Sequence, residues 1–104
     1  MNHLTTEPLL LYIDATNNRK TTIKLGGSQI VKVYDNPRQQ KILEIIAELL
    51  KRKKVRPEEI SEIKVNPGPG SYTSLRVGCA VANAMSWALK IKVNGKKQIT
   101  PVYD

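Results

Sequence analysis

The chain contains no phenylalanine and only one tryptophan, one cysteine and one histidine among its 104 residues. Without Phe, the interior falls to Leu, Ile, Val and Ala, with Trp87 as the one large anchor on offer. A lone Cys79 gives no disulfide framework, and the chain reads as intracellular and cytoplasmic. His3 and Cys79 have no companions for a structural zinc site, so no metal and no other cofactor is expected. Long apolar runs are also missing. Leu9 to Ile13 is too short for the apolar region of a signal peptide and lacks a basic lead. Residues 77–89 are apolar, but Arg76, Lys90 and Lys92 bracket them and they are too few to span a bilayer. Acids are scarce: 9 stand against 17 Lys and Arg, a formal net charge of +8. Such a balance favours polyanions, and it equally serves solubility. Lys24, Lys32 and Lys64 are dispersed at solvent-facing positions. The one dense block, Lys51-Arg52-Lys53-Lys54, ends a predicted helix, where cations complement the dipole. That block is the candidate nucleic-acid contact, although no aromatic residue is interleaved with it for base stacking.

What is present fits one compact domain with a modest core. Residues 1–8 are polar and expected to fray. Leu9 to Asp14 is a nearly continuous apolar run, the pattern of a central strand buried on both faces. Thr21 to Leu25 and Gln29 to Tyr34 alternate, and Gly26-Gly27 between them predicts a hairpin. A helix opens at Pro37 or Arg38 and runs to about Lys53. Arg56-Pro57-Glu58-Glu59 predicts a short helical turn with Pro at its first position. Ile60 to Val65 leads into a fourth strand, Tyr72 to Leu89 is a second long helix, and Ile91 to Val93 makes a fifth short strand. The order βββαβαβ predicts an α/β domain with a mixed five-stranded sheet and two main helices. That is the ribonuclease-H-like half-domain of the actin-like ATPases.

The stretch Val65-Asn66-Pro67-Gly68-Pro69-Gly70-Ser71-Tyr72-Thr73-Ser74-Leu75-Arg76-Val77-Gly78 joins the fourth strand to the second helix through a glycine-rich turn. Gly68 and Gly70 admit backbone angles that side chains forbid, and Ser71 or Thr73 is placed to cap the helix. Bare amides at a helix start are also a place for an anion, so Gly68, Gly70, Ser71, Thr73 and Arg76 form a candidate anion-binding turn. Arg76 would either clamp that anion or tie the turn down. The string G-P-G-S-Y-T-S-L-R-V-G closely resembles the G-P-G-S-F-T-G-x-R-x-G signature of the TsaB (YeaZ) family, with Ser74 in place of the usual glycine. Leu10-Leu11-Tyr12-Ile13-Asp14-Ala15-Thr16 is similar to the family's opening strand, which usually ends I-D-T-S. The resemblance covers roughly residues 9–94 and corresponds to the family's N-terminal half, so residues 1–104 are expected to be a single TsaB-like N-terminal domain with a tail at 95–104 and without the second lobe.

That resemblance implies a non-catalytic scaffold subunit that supports threonylcarbamoyl transfer to adenosine 37 of tRNA. It also implies pairing through the two helices, with a TsaD-like protein or with a second copy. The residues themselves carry part of this reading. Ile42, Ile45, Ile46, Leu49 and Leu50 recur at helical spacing, and Leu43 and Ala47 widen the stripe beyond what one sheet face needs. Ala80, Ala84 and Ala88 form one small-residue row on the second helix, and Gly78, Ala82 and Ser86 form its neighbour. The candidate interface is therefore Ile42, Ile45, Ile46, Leu49, Leu50, Ala80, Ala84, Trp87 and Ala88, and a charge at Ile46 or Ala84 is expected to break association without unfolding the monomer. The bland alternative is that the helices pack only on each other and on the sheet. Asp14 ends the first strand where ribonuclease-H-like nucleases hold a metal, but Asn66 stands where a second carboxylate would be needed, so no catalytic residue is assigned. Gly68-Pro69-Gly70-Ser71 also lacks the lysine of a P-loop. Two other readings stay open: a stand-alone basic nucleic-acid-binding module, and a phosphate or nucleotide binder using the 68–76 turn.

Overall fold

A computed structural model describes residues 8–36 and 41–102. Three strands come first: β1 (Leu10–Asn17), β2 (Lys20–Leu25) and β3 (Ser28–Val33). Helix α1 (Ile42–Lys53), a 3-10 turn (Pro57–Glu59), strand β4 (Glu62–Val65) and helix α2 (Tyr72–Leu89) follow. The sheet order is β3-β2-β1-β4, with β1 antiparallel to β2, β2 antiparallel to β3, and β1 parallel to β4. A meander is thus followed by a crossover through α1 that lays β4 beside β1, and the mixed α/β class expected from the chain is the one observed. The expected helix start at Pro37 or Arg38 and the expected fraying of residues 1–7 lie outside the described residues.

The expected five-stranded sheet has four strands among the described residues. Around the predicted fifth, Val93 makes a single parallel bridge to Ile63 and then turns back to pair with Lys96. Asn94 and Gly95 both adopt positive φ, at 51° and 75°, which reverses the chain at once. The Asn94 side chain then takes the positions a continuing strand would have used. Its Oδ1 accepts from the Val65 amide at 2.9 Å and its Nδ2 donates to the Val65 carbonyl at 3.0 Å. One side-chain amide therefore satisfies the sheet edge in place of backbone.

Both helices contribute to one buried cluster. Leu11, Ile13 and Ala15 of β1, Ile23 and Leu25 of β2, and Ile63 and Val65 of β4 meet Ile42, Ile45, Ile46, Leu49 and Leu50 of α1 together with Cys79 and Ala82 of α2. The strand period of two sends Leu10, Tyr12, Asp14 and Thr16 to the opposite face, where they are only half-buried. The apolar run in β1 is therefore fully buried on one face and not on both, because its covering helices share one side. Trp87 also departs from expectation. It is 84% exposed and no part of the core, since it follows the buried Ser86 by about 100° around α2. Leu, Ile, Val and Ala fill the interior without it.

Candidate functional site

The turn after β4 is built onto the end of β1. The Asn66 amide donates to the Ile13 carbonyl at 2.9 Å, and the Ser71 amide donates to the Thr16 carbonyl at 2.8 Å. Gly68 has φ 111° and donates its amide to the Asn66 side chain at 3.1 Å. Gly70 lies so close to β1 that an added Cβ would fall 2.8 Å from the Thr16 Cβ and would press on the Thr16 carbonyl oxygen. Glycine is required there by proximity. Residues 97–102 then lie over the same region. Asn83 of α2 donates to the Ile99 carbonyl and accepts from the Ile99 amide, both at 2.8 Å, and the Val102 amide donates to the Pro67 carbonyl at 2.6 Å.

Within this turn, Gly70 and Ser71 lie against Thr16 of β1, while Gly68 faces Leu75 and the Val102 carbonyl instead. The Ser71 amide already serves Thr16, and Ser71 stands at the N-cap of α2 without a side-chain capping bond. Instead the Ser74 hydroxyl donates to the Ser71 carbonyl at 3.3 Å. Thr73 is exposed on the first turn. Arg76 lies over the Tyr72 ring, 5.5 Å from its centroid, a cation–π arrangement at the surface.

Asp14 faces the same end of β1. Burial would raise its pKa, but the Thr16 amide at 3.0 Å and the Thr16 hydroxyl at 2.8 Å both donate to it. The Asn66 amide and the Tyr12 hydroxyl, each at 3.4 Å, add to these, and the net result is a carboxyl held below its ordinary value. Burial, followed by the Asp14 charge, pushes the Tyr12 phenol up. β1 runs on to Asn17, so Asp14 does not end its strand as expected; it sits three residues before the end in a closed hydrogen-bond network and braces the turn through Asn66.

The helices divide the predicted interface set. Ile42, Ile45, Ile46, Leu49 and Leu50 are all buried in the monomer's own core and offer no surface. Ile46 is 2% exposed, so a charge there would strike the core and not test association alone. On α2 the two small-residue rows separate cleanly. Gly78, Ala82 and Ser86 face inward, and Gly78 brings the helix within 3.0 Å of Ala15, measured to a Cβ built at that position. Ala80, Ala84 and Ala88 face out. With Leu43 of α1, which is 60% exposed, and with Val81 and Met85, they line a shallow apolar groove of about 420 Å³. Val81 and Met85 complete this groove although the alanine spacing alone does not mark them. Trp87 lies outside that lining, in a separate cleft at the end of α2.

Lys51, Arg52, Lys53 and Lys54 occupy the last turn and cap of α1, where Arg52 pairs with Glu48 and Lys54 takes the left-handed cap conformation. Lys53 is half-buried and packs near Gly26. Among the described residues no helix is long and apolar enough to cross a membrane.

A mixed sheet with a three-strand meander, a crossover helix and a glycine turn locked onto β1 defines a ribonuclease-H-like half-domain of the actin-like class. The family model for TsaD, tRNA N6-adenosine threonylcarbamoyltransferase, matches residues 32–97, and the chain belongs to that family. Its relatives include TsaB proteins, as the motif resemblance implied. It is 42% identical over 38 residues to the tRNA threonylcarbamoyladenosine biosynthesis protein TsaB of Bacillus subtilis (strain 168), covering 36% of this chain and 17% of that one. It is 35% identical over 68 residues to the tRNA N6-adenosine threonylcarbamoyltransferase of Porphyromonas gingivalis, covering 65% of this chain and 20% of that one. Among solved structures, YeaZ from Pseudomonas aeruginosa superposes with a TM-score of 0.71 at 22% identity, over 84% of this chain and 42% of that one. The chain thus spans less than half the length of each of these proteins.

Proposed function

We propose that the chain is a non-catalytic TsaB-like subunit of tRNA threonylcarbamoyladenosine biosynthesis. In this reading it holds a TsaD-like partner, or a second copy of itself, against the outward face of α2. The observation that carries the reading is the groove lined by Leu43, Ala80, Val81, Ala84, Met85 and Ala88. Leu43 stands exposed beside a row of alanines that lets another helix approach closely, a combination a solitary monomer does not need. Ala-sized contacts permit short interhelical distances, and Leu43 supplies the apolar area.

The absence of a catalytic role rests on Asp14, the carboxylate of β1 in a position suited to metal chemistry. Its oxygens are taken up by Thr16, Asn66 and Tyr12, which suits a brace and not an open ligand. In this reading the α2 groove holds a protein partner and not tRNA.

Ala84→Glu tests the docking role. Ala84 is exposed, so the variant should fold and melt like the parent while losing its partner in gel filtration. Retained association at unchanged affinity would remove the α2 face from the account.

A further inference from the structure

The cleft at the C-terminal end of α2 has a different character from the alanine groove. Ser86, Trp87, Lys90, Ile91, Lys92 and Lys97 line it around a volume of about 480 Å³, within the range of small-ligand sites. An indole that is 84% exposed stands among three lysine side chains. The charge bias extends well beyond the cleft. From Ile63 to Tyr103 the sequence carries Lys64, Arg76, Lys90, Lys92, Lys96 and Lys97 and not one Asp or Glu. Acids are confined to the preceding residues and to Asp104.

The backbone under the cleft is held in place. The Ile91 amide donates to the Ser86 carbonyl at 3.0 Å, and the Ser86 hydroxyl donates to the Ile91 carbonyl. The Lys90 amide donates to the Trp87 carbonyl at 3.3 Å, with Lys90 in the left-handed cap conformation. Val93 and Lys96 exchange two backbone hydrogen bonds, each 2.9 Å, which fixes the turn preceding Lys97. The helix dipole places roughly half a negative charge at this end, and three lysines outweigh it.

We infer that this cleft binds single-stranded nucleic acid, with Trp87 as the stacking platform for one unpaired base and Lys90, Lys92 and Lys97 as its phosphate contacts. A lone indole face accepts a base that has left its own stack, which favours a single strand over a duplex. An acidic peptide would meet the lysines but leave the indole without a planar partner. This inference goes beyond the docking role and rests on a different surface. It also relocates nucleic-acid contact from Lys51–Lys54 to a place where cations and an aromatic ring do coincide.

Trp87 is the single tryptophan, so its fluorescence reports the site directly. The test uses this chain alone, without any partner protein, so its outcome does not depend on the docking role. Titration with an oligouridylate of about 12 nucleotides should quench the emission to saturation. Three phosphate contacts on a single strand predict that log K falls with log salt at a slope of about −2. Trp87→Ala, followed by anisotropy of a labelled oligonucleotide, should weaken binding roughly 10-fold, and Lys90→Gln with Lys92→Gln and Lys97→Gln should flatten the salt slope. An oligothymidylate of the same length identifies which sugar is preferred. Absence of quenching, equal binding of an RNA duplex, displacement by oligoglutamate of equal charge, or an unchanged affinity in folded Trp87→Ala would each overturn the assignment.

Discussion

Replacing Gly70 by alanine probes the contact between turn and sheet on which the site depends. The new methyl group would lie 2.8 Å from the Thr16 Cβ and 3.0 Å from the Thr16 carbonyl carbon. Neither neighbour is the free end of a flexible side chain, so the turn itself must move. Overpacking of this kind costs about 1–3 kcal/mol. The same movement stretches the 2.8 Å bond from the Ser71 amide to Thr16, which contributes about 1 kcal/mol. Together these give a loss of about 2–4 kcal/mol, a large share of the roughly 5–15 kcal/mol that stabilises a domain of this size. At about 4–8 °C per kcal/mol, the melting temperature should fall by roughly 8–32 °C. Gly27→Ala is the matched control, since a Cβ at Gly27 meets nothing within 4 Å and its backbone needs no positive φ. That variant should be neutral or gain up to about 1 kcal/mol through the unfolded chain. Far-UV circular dichroism melts of both proteins decide the matter. If the two variants melt within about 3 °C of each other, the reasoning about the turn's closeness to β1 is wrong.

Other predictions follow from single contacts. The Thr21 hydroxyl is fully buried with no hydrogen-bond partner, so Thr21→Val should leave stability unchanged or raise it by about 1 kcal/mol in chemical denaturation. Asn83→Ala removes both bonds to Ile99 and should cost about 1–2 kcal/mol, with faster hydrogen exchange at the Ile99 amide and unchanged exchange in β1. The depressed pKa of Asp14 stabilises the fold above the ordinary carboxylate value and withdraws that stability as pH falls through the lower folded value. The wild type should therefore lose stability below about pH 4 more steeply than Asp14→Asn, which two pH series of melts would show or refute.

Much of the fold could be read from local patterns because the signals there were local. Tyr72 to Leu89 is bounded by the glycine turn before it and by Lys90 in a left-handed cap after it, and the spacing of its small residues already contained both faces. Which row faced inward was not visible. Gly78 goes inward because β1 offers Ala15 opposite it, a pairing set by tertiary contact. The apolar stripe of α1 suggested an excess for a partner, but its five strongest residues are consumed by the monomer's core and only the flanking Leu43 and Ala47 remain outside. The fifth strand failed for a local reason of another kind. Asn94 follows the alternating Ile91-Lys92-Val93, which suits a strand, and its side chain then replaces that strand at the edge of β4. Trp87 misled for want of phase information: size alone suggested an anchor, while its place on α2 sends it to solvent among lysines separated from it in sequence. That juxtaposition depends on the turn at Asn94-Gly95, which no periodicity encodes.

Multi-angle light scattering tests the docking account most directly, on this chain alone and mixed with a TsaD-like protein from the same source. The monomer mass is 11.7 kDa. The account predicts a mass above this, as a dimer alone or as a one-to-one complex in the mixture, and its return to 11.7 kDa in Ala84→Glu. A wild-type chain that stays at 11.7 kDa under both conditions would contradict it.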